Sequence, residues 1–360
     1  KRLIPASGGY TARMANVLTR ERLRALVDLD DSDGFVVSMY VDLDPTRWAT
    51  PGARETQLNS LFREATQALD SRKPSREAKE AARAGLDAVR RAIEEEDLSG
   101  AAGLAIFARG DRVIESFALS RPVSPQALVH ERPLLEPLVR QIPNGEWCFY
   151  LVNGRAARIV RGEPGRWREV LAAEDDVHGR HSKGGWSQAR YERSVEKEIE
   201  DHYRNAAKML YDEYARAPFD HLGIATPEEQ YPQILNSLHS YVLSHLAGRF
   251  DCDVPNSTVD DIVACAEPLM REMERKREEA VLDRLRMDLG KGSGAVAASP
   301  DVARALDEMR VGTLILAPGS ENGANRVIDL ALAQDAEVIV LEEEPDALQD
   351  CDGMAALLRF

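Results

Sequence analysis

At 360 residues the chain is long enough for two or three domains with a substantial buried core. Hydrophobic residues make up 44% and charged residues 30%, and no stretch approaches the roughly 20 apolar residues of a membrane-spanning helix, so no membrane role is expected. The net charge of −15 argues against a DNA-binding or general nucleic-acid coat protein, whose affinity rests on Lys and Arg against phosphate.

In chain order, residues 1–13 have no signal-peptide core and read as a disordered leader or cloning remnant, with Met14 as the natural start. Residues 14–142 are expected to form an N-terminal α/β domain. Its first strand is Gly34–Leu43, followed by a polar loop over Thr46–Thr56 and two helices spaced by Leu58, Leu61, Phe62, Ala65, Leu69 and by Ala82, Leu86, Val89, Ile93. Strands Gly103–Ala108 and Val113–Leu119 close it, and a parallel component is expected in the sheet. Residues 143–268 read as a central domain opened by a hairpin: Trp147–Val152 and Ala156–Val160 flank Asn153-Gly154, a strong two-residue turn signal. A strand at Trp167–Leu171, a glycine-bearing loop over Ala173–Gly185 and a helix from Ser187 to Ala215 follow. Then come a strand at His221–Ala225 and a helix at Tyr231–Leu246. Residues 269–360 read as a small C-terminal α/β sandwich with a partly parallel sheet. It is entered by a charged helix from Asp260 to Leu289 and includes a helix capped by Ser299 with Pro300 in its first turn. The fold class is therefore α/β, in three domains.

Several motifs fail. Asp28–Gly34 has the composition of a calcium loop, but with Gly34 at the turn the first ligand position falls on Leu29 and the twelfth on Tyr40. Gly290–Gly294 lacks the upstream glycine of a phosphate loop. Cys148, Cys252, Cys265 and Cys351 show no C-x-x-C spacing and read as reduced thiols of a cytoplasmic protein. No metal site, no cofactor and no nucleophile with an oriented base is indicated.

One segment departs from the acidic background. Between His178 and Arg193, four positive side chains (Arg180, Lys183, Arg190, Arg193) stand against one negative, Glu192. The plain reading is an exposed loop capping the long helix. The functional one is an RNA-probing loop that orders on its partner. Gly184-Gly185 lets the backbone come close to a partner. Arg and Lys suit phosphates, and His178, His181 and Trp186 can stack on unpaired bases. Ser187 opens a helix whose free N–H groups face the same place.

The stretch RHSKGGWSQARYERSVEKEIEDHY resembles the Gly-Gly-Gln loop and following helix of archaeo-eukaryotic class I release factors and Pelota. Gly184 and Gly185 match the glycines, Ser187 the serine, and Arg190 and Arg193 the helix arginines. SPDVARALDEMRVGTLILAP and AEVIVLEEEPDALQDCDGMAALLRF are similar to that superfamily's third domain. Trp186 stands where the family has its catalytic Gln, and an indole has one donor and no acceptor. Gln188 lies two residues on. The Asn-Ile-Lys-Ser codon-reading motif is also missing; the nearest segment is GARETQLNSL.

This pattern resembles the bacterial branch of the superfamily, with the Balon-like ribosome hibernation factors. The resemblance implies a non-enzymatic factor that occupies the ribosomal A site and blocks translation under stress. Its RNA contacts at the peptidyl transferase centre would be His178, Arg180, His181, Lys183, Gly184, Gly185, Trp186, Ser187, Gln188, Arg190 and Arg193. It also implies recruitment of a translational GTPase such as elongation factor Tu. Two alternatives stay open: a peptidyl-tRNA hydrolase or nuclease in which Gln188 replaces the lost Gln, and a protein-interaction scaffold off the ribosome. The position of Gln188 separates the first, and a continuous positive face around the loop the second.

Overall fold

The computed structural model describes residues 2–3, 18–29, 34–44, 50–72, 74–95, 101–142, 144–174, 188–318, 324–342, 344 and 346–360, with backbone only at 2–3, 20–21, 51, 174 and 188–196. The chain is α/β, with three separate sheets among these residues. Two units form: residues 1–9 with 143–276, and residues 10–142 with 277–360. Strand β1 (Arg2–Leu3) belongs to the first.

The N-terminal part of the second unit contains α1 (Arg20–Val27), β2 (Val36–Asp42), α2 (Pro51–Ser71) and α3 (Arg76–Glu95). It continues with β3 (Gly103–Arg109), β4 (Arg112–Leu119), β5 (Gln126–His130) and α4 (Glu136–Val139). Side chains alternate across β2, so Val37, Met39 and Val41 meet Phe62, Ala65 and Leu69 of α2 and Leu86 and Val89 of α3. The strand order is β4-β3-β2-β5, and every pairing is antiparallel. The expected parallel component is absent because two helices, not one, connect β2 to β3. A single crossover helix returns the chain to the start of the sheet and gives a parallel neighbour, whereas a helical pair carries it back to the far end. The expected loop over Thr46–Thr56 also ends early. Thr50 caps α2 by accepting from the Ala53 amide at 3.2 Å, and Pro51 occupies the first turn, a capping signal inside the polar run. Strand β5 and helix α1 had no place in the sequence reading.

The central unit holds β6 (Trp147–Val152), β7 (Ala156–Glu163), β8 (Arg166–Glu174), α5 (Gln188–Arg216), β9 (His221–Ala225), α6 (Tyr231–Ser237), α7 (Ser240–Leu243), β10 (Leu246–Phe250) and the start of α8 (Val259–Gly290). Its sheet runs β1-β8-β7-β6-β9-β10, with antiparallel pairs from β1 to β6 and parallel pairs from β6 to β10. One face carries Tyr203, Ala206 and Leu210 of α5, and the other Ile262 and Ala266 of α8. The single helix expected over Tyr231–Leu246 is broken. Leu238 is extended (ψ 147°), and His239 Nδ1 caps α7 by accepting from the Tyr241 amide at 3.2 Å. The tail of that segment becomes β10, which pairs with β9 and buries Phe250.

The C-terminal part contains β11 (Ala295–Ala297), α9 (Ser299–Asp307), β12 (Val311–Leu316), α10 (Asn325–Ala333), β13 (Glu337–Val340) and β14 (Met354–Leu358). The sheet order is β11-β14-β12-β13, with β12 and β13 parallel across α10 and the rest antiparallel, the partly parallel sheet expected. Ser299 is the first helical residue rather than the cap; Ala298 precedes it at φ 71° without a side-chain cap. One face packs on Leu282 and Leu285 of α8. The other shares a core with the N-terminal part: Val302, Leu306, Leu314 and Ile328 join Leu23, Tyr40, Phe107 and Phe117 in one buried cluster. Asn325 fixes this contact, its Oδ1 accepting from the Leu135 amide at 3.1 Å and its Nδ2 donating to the Pro133 carbonyl at 3.0 Å.

Candidate functional site

The Asn153-Gly154 turn is present. Asn153 Oδ1 accepts from the amides of Arg155 and Ala156 at 2.9 and 2.8 Å, satisfying the turn with its own side chain. The β7–β8 register pairs Ala156 with Glu174, so β8 ends at the same end of the sheet as this turn. Strands β6, β9 and β10 are parallel and also finish there, at Val152, Ala225 and Phe250. The last residue of β8, Glu174, which precedes the glycine-bearing segment in sequence, is thus at this end of the sheet.

Helix α5 is tied down at its far end. Arg161 on β7 is fully buried and donates to Glu146 with both Nε (3.1 Å) and Nη2 (2.8 Å), and from Nη1 to Glu213 at 3.2 Å. It also donates to the carbonyls of Ala217 and Pro218, just past the helix. At the near end Ile199 lies where a Cβ on Gly154 would meet it at 3.7 Å, placing that residue over the hairpin turn. Long helices rely on tertiary burial for stability, and α5 finds it at Tyr203, Ala206 and Leu210.

Of the predicted site residues, His178, Arg180, His181, Lys183, Gly184, Gly185, Trp186 and Ser187 lie outside the described residues. Gln188, Arg190 and Arg193 lie on α5, with only their backbone described; Gln188 is the first helical residue. Around this end the described side chains are mixed. Arg155 and Lys197 are exposed, but so are Glu198, Glu200, Glu228, Glu229, Asp251 and Asp253. A continuous positive face is therefore not present among the described residues, and positive charge concentrates in the segment 178–193.

The parallel strand ends also enclose an open cavity of about 560 Å³ lined by Asn153, Thr226, Pro227 and Asp251–Pro255. It sits where the chain direction switches, between the hairpin strands on one side of β6 and the parallel strands on the other, the usual crevice of an open α/β sheet. Sequence reasoning missed it because it depends on β10; its only local signal was the Asp-Cys-Asp-Val-Pro turn after Phe250. Among the described residues, no group of three or more His, Cys, Asp or Glu side chains is placed to hold a metal ion.

Residues 132–267 match the family model described as "Bacterial archaeo-eukaryotic release factor family 10", which assigns the central part of the chain to the superfamily's bacterial branch. Among solved structures, the chain is similar to an archaeal translation termination factor, aRF1 (17% identity, 96% of this chain and 99% of that one, TM-score 0.29). It is also similar to Archaeoglobus fulgidus Pelota (14% identity, 72% and 79%, TM-score 0.36) and to an archaeal Pelota in a ribosome-bound model (15% identity, 59% and 61%, TM-score 0.42). The family match, not these loose superpositions, carries the assignment. None of the curated proteins compared matches the chain.

Proposed function

We propose that this protein is a cytoplasmic, ribosome-associated factor that enters the A site with segment 178–193 foremost and blocks translation, without reading codons or releasing peptide. One observation carries the reading. Within the part of the chain that matches the family model, a Gly-Gly pair stands in the sequence between strand β8 and helix α5, with Trp186 in the place of the Gln that does the chemistry. Indole cannot position and polarise a water as a carboxamide does. That Gln188 opens α5 as its first helical residue supports a loop without a hydrolytic Gln. The absence of an Asn-Ile-Lys-Ser motif supports a factor indifferent to the codon. A translational GTPase such as elongation factor Tu is the proposed delivery partner, and stress or hibernation the proposed setting.

The acidic surroundings at the sheet end favour a second reading, a protein-binding scaffold away from the ribosome. Sedimentation with purified ribosomes, paired with a peptide-release assay on peptidyl-tRNA complexes, tests both. The expected result is salt-sensitive co-sedimentation with no release. Peptide release abolished by Gln188→Ala would establish the hydrolase instead. Affinity unchanged after neutralising Arg180, Lys183 and Arg190 together would establish the scaffold.

A further inference from the structure

Each of the three parallel strands of the central sheet places the residue after its last one at the same cavity. Asn153 follows β6, Thr226 follows β9 and Asp251 follows β10, and all three line it. Its volume of about 560 Å³ suits a small organic molecule, and open α/β sheets bind ligands at this position. The walls are held in place. Arg158 Nη1 donates to the carbonyls of Val254 and Ser257 at 3.0 and 2.8 Å, and Arg249 Nη1 donates to the Thr226 carbonyl at 3.0 Å. Two features define what would fit. Thr226 is 2% exposed, and its hydroxyl oxygen is buried with no hydrogen-bond partner among the described residues. Buried polar groups are as a rule bonded, so an orphan on a residue that lines a cavity points to a ligand atom. The second feature is charge. The charged lining residues are Asp251 and Asp253, and Glu228 and Glu229 follow Pro227 in sequence. The two arginines bonded to this loop are already matched, Arg249 with Asp251 and Arg158 with Glu169. Asp253 accepts from the neutral Asn256 Nδ2 at 2.9 Å and has no ion-pair partner among the described residues.

We propose that this cavity binds an alkylammonium group, with the Asp253 carboxylate supplying the opposite charge and the Thr226 hydroxyl oxygen an acceptor. The inference is independent of the ribosomal reading. An ammonium carries three donors and no acceptor, which matches an unpaired carboxylate and an orphan hydroxyl oxygen. Pro227, Val254 and Pro255 give the attached methylenes an apolar wall. An anion would meet the carboxylates without a free cation to offset them. A hard divalent cation takes six or more oxygens, and the lining offers two carboxylates, one of them already held by Arg249. A free polyamine and the lysine side chain of a peptide both present an alkylammonium group.

The test is calorimetric titration of the full chain at low ionic strength with spermidine, with the peptide Gly-Lys-Gly, and with magnesium chloride. The expected result is one saturable amine site per chain, weakened by added salt. Binding of spermidine alone would identify a free polyamine as the source, and displacement of spermidine by the peptide a lysine side chain. Asp253→Asn should weaken spermidine binding by about fivefold, the worth of one exposed ion pair. Thr226→Val keeps the shape and removes the hydroxyl. It should weaken binding by at least about threefold and raise the thermal midpoint of the free chain, because an unpaired buried hydroxyl is gone. Asp350→Asn makes the same charge change in the other unit and should bind as the parent does. Absence of a saturable site would overturn the proposal, as would equal weakening by Asp350→Asn, which would mean diffuse attraction to an acidic chain. So would parental affinity in Thr226→Val, or a one-to-one magnesium site lost in Asp253→Asn, which would make the cavity a metal site.

Discussion

Arg161 on β7 and Glu213 on α5 form a 3.2 Å ion pair in which the arginine has no exposed surface and the carboxylate little. Glu146 completes the arrangement at 2.8 Å, so one guanidinium ties the C-terminal end of the long helix to the sheet. A planar fork with five donors can serve two carboxylates and two carbonyls at once, and an ammonium cannot. Arg161→Leu is expected to cost about 3–5 kcal/mol of unfolding free energy, because it leaves buried acids uncompensated. Arg161→Lys should recover little of it. Urea denaturation of the three proteins measures both, and a Lys variant as stable as the parent would show that charge alone suffices.

The β7–β8 turn depends on a missing side chain. Gly162 has φ 154°, and a Cβ there would lie 1.9 Å from the Arg166 carbonyl oxygen. Only a shift of the turn backbone could accommodate it. Gly162→Ala should destabilise by about 1–3 kcal/mol, the usual range for forced overpacking. A Gly154→Ala control should be milder, since its Cβ would meet only Ile199 at ordinary contact distance.

The start of α8 should respond to acid. Thr258 and Asp261 cap it reciprocally: the Thr258 hydroxyl and amide donate to Asp261 Oδ2 at 2.7 and 2.9 Å, and the Asp261 amide donates to Thr258 Oγ1 at 3.2 Å. Those bonds, the hydroxyl's first, hold the Asp261 carboxyl below the ordinary carboxylate range. A lowered folded value means its contribution is full above the unfolded value, near pH 4, and is lost as pH falls through the folded value. The stability difference between the parent and Asp261→Asn should therefore be constant around neutrality and shrink below about pH 4. A difference that grew on acidification would reverse the assignment.

Ribosome affinity should carry the signature of phosphate contacts. Neutralising Arg180, Lys183 or Arg190 singly is expected to lower the slope of log affinity against log salt by about one each, and to weaken binding equally on any RNA sequence. Trp186→Ala should cost about 1–3 kcal/mol if the indole stacks on a base. Trp186→Gln should gain little hydrolysis, because a carboxamide by itself does not supply the positioning that the reaction needs. Filter binding across a salt series reads the first two, and single-turnover release the third.

The shared core predicts that the N-terminal part cannot fold alone. Tyr40, Phe107 and Phe117 lie in one cluster with Val302, Leu306, Leu314 and Ile328. A fragment of residues 14–142 should expose that face and aggregate, and co-expression with residues 277–360 should restore a soluble complex. A monomeric, cooperatively melting fragment would show that the cluster is dispensable.

Local signals were sufficient for some of this protein. The Asn153-Gly154 hairpin, the two long helices and the partly parallel C-terminal sheet were legible because each is signalled by turn chemistry or by apolar period. Gly-Gly-Trp before a helix start carried the expectation of a site without the family's Gln, and the helix start itself is present at Gln188. What the tertiary structure decided lies at longer range. Strand direction in the N-terminal sheet follows from the pairing of α2 with α3, which no single window contains. Strand β10 exists because β9 offers it an edge and a core for Phe250; its own Leu-Ala-Gly-Arg-Phe sequence is a weak strand former. The union of the N-terminal and C-terminal parts around one core is a contact between elements. Side-chain period shows which face of an element is apolar, but only packing decides what covers it.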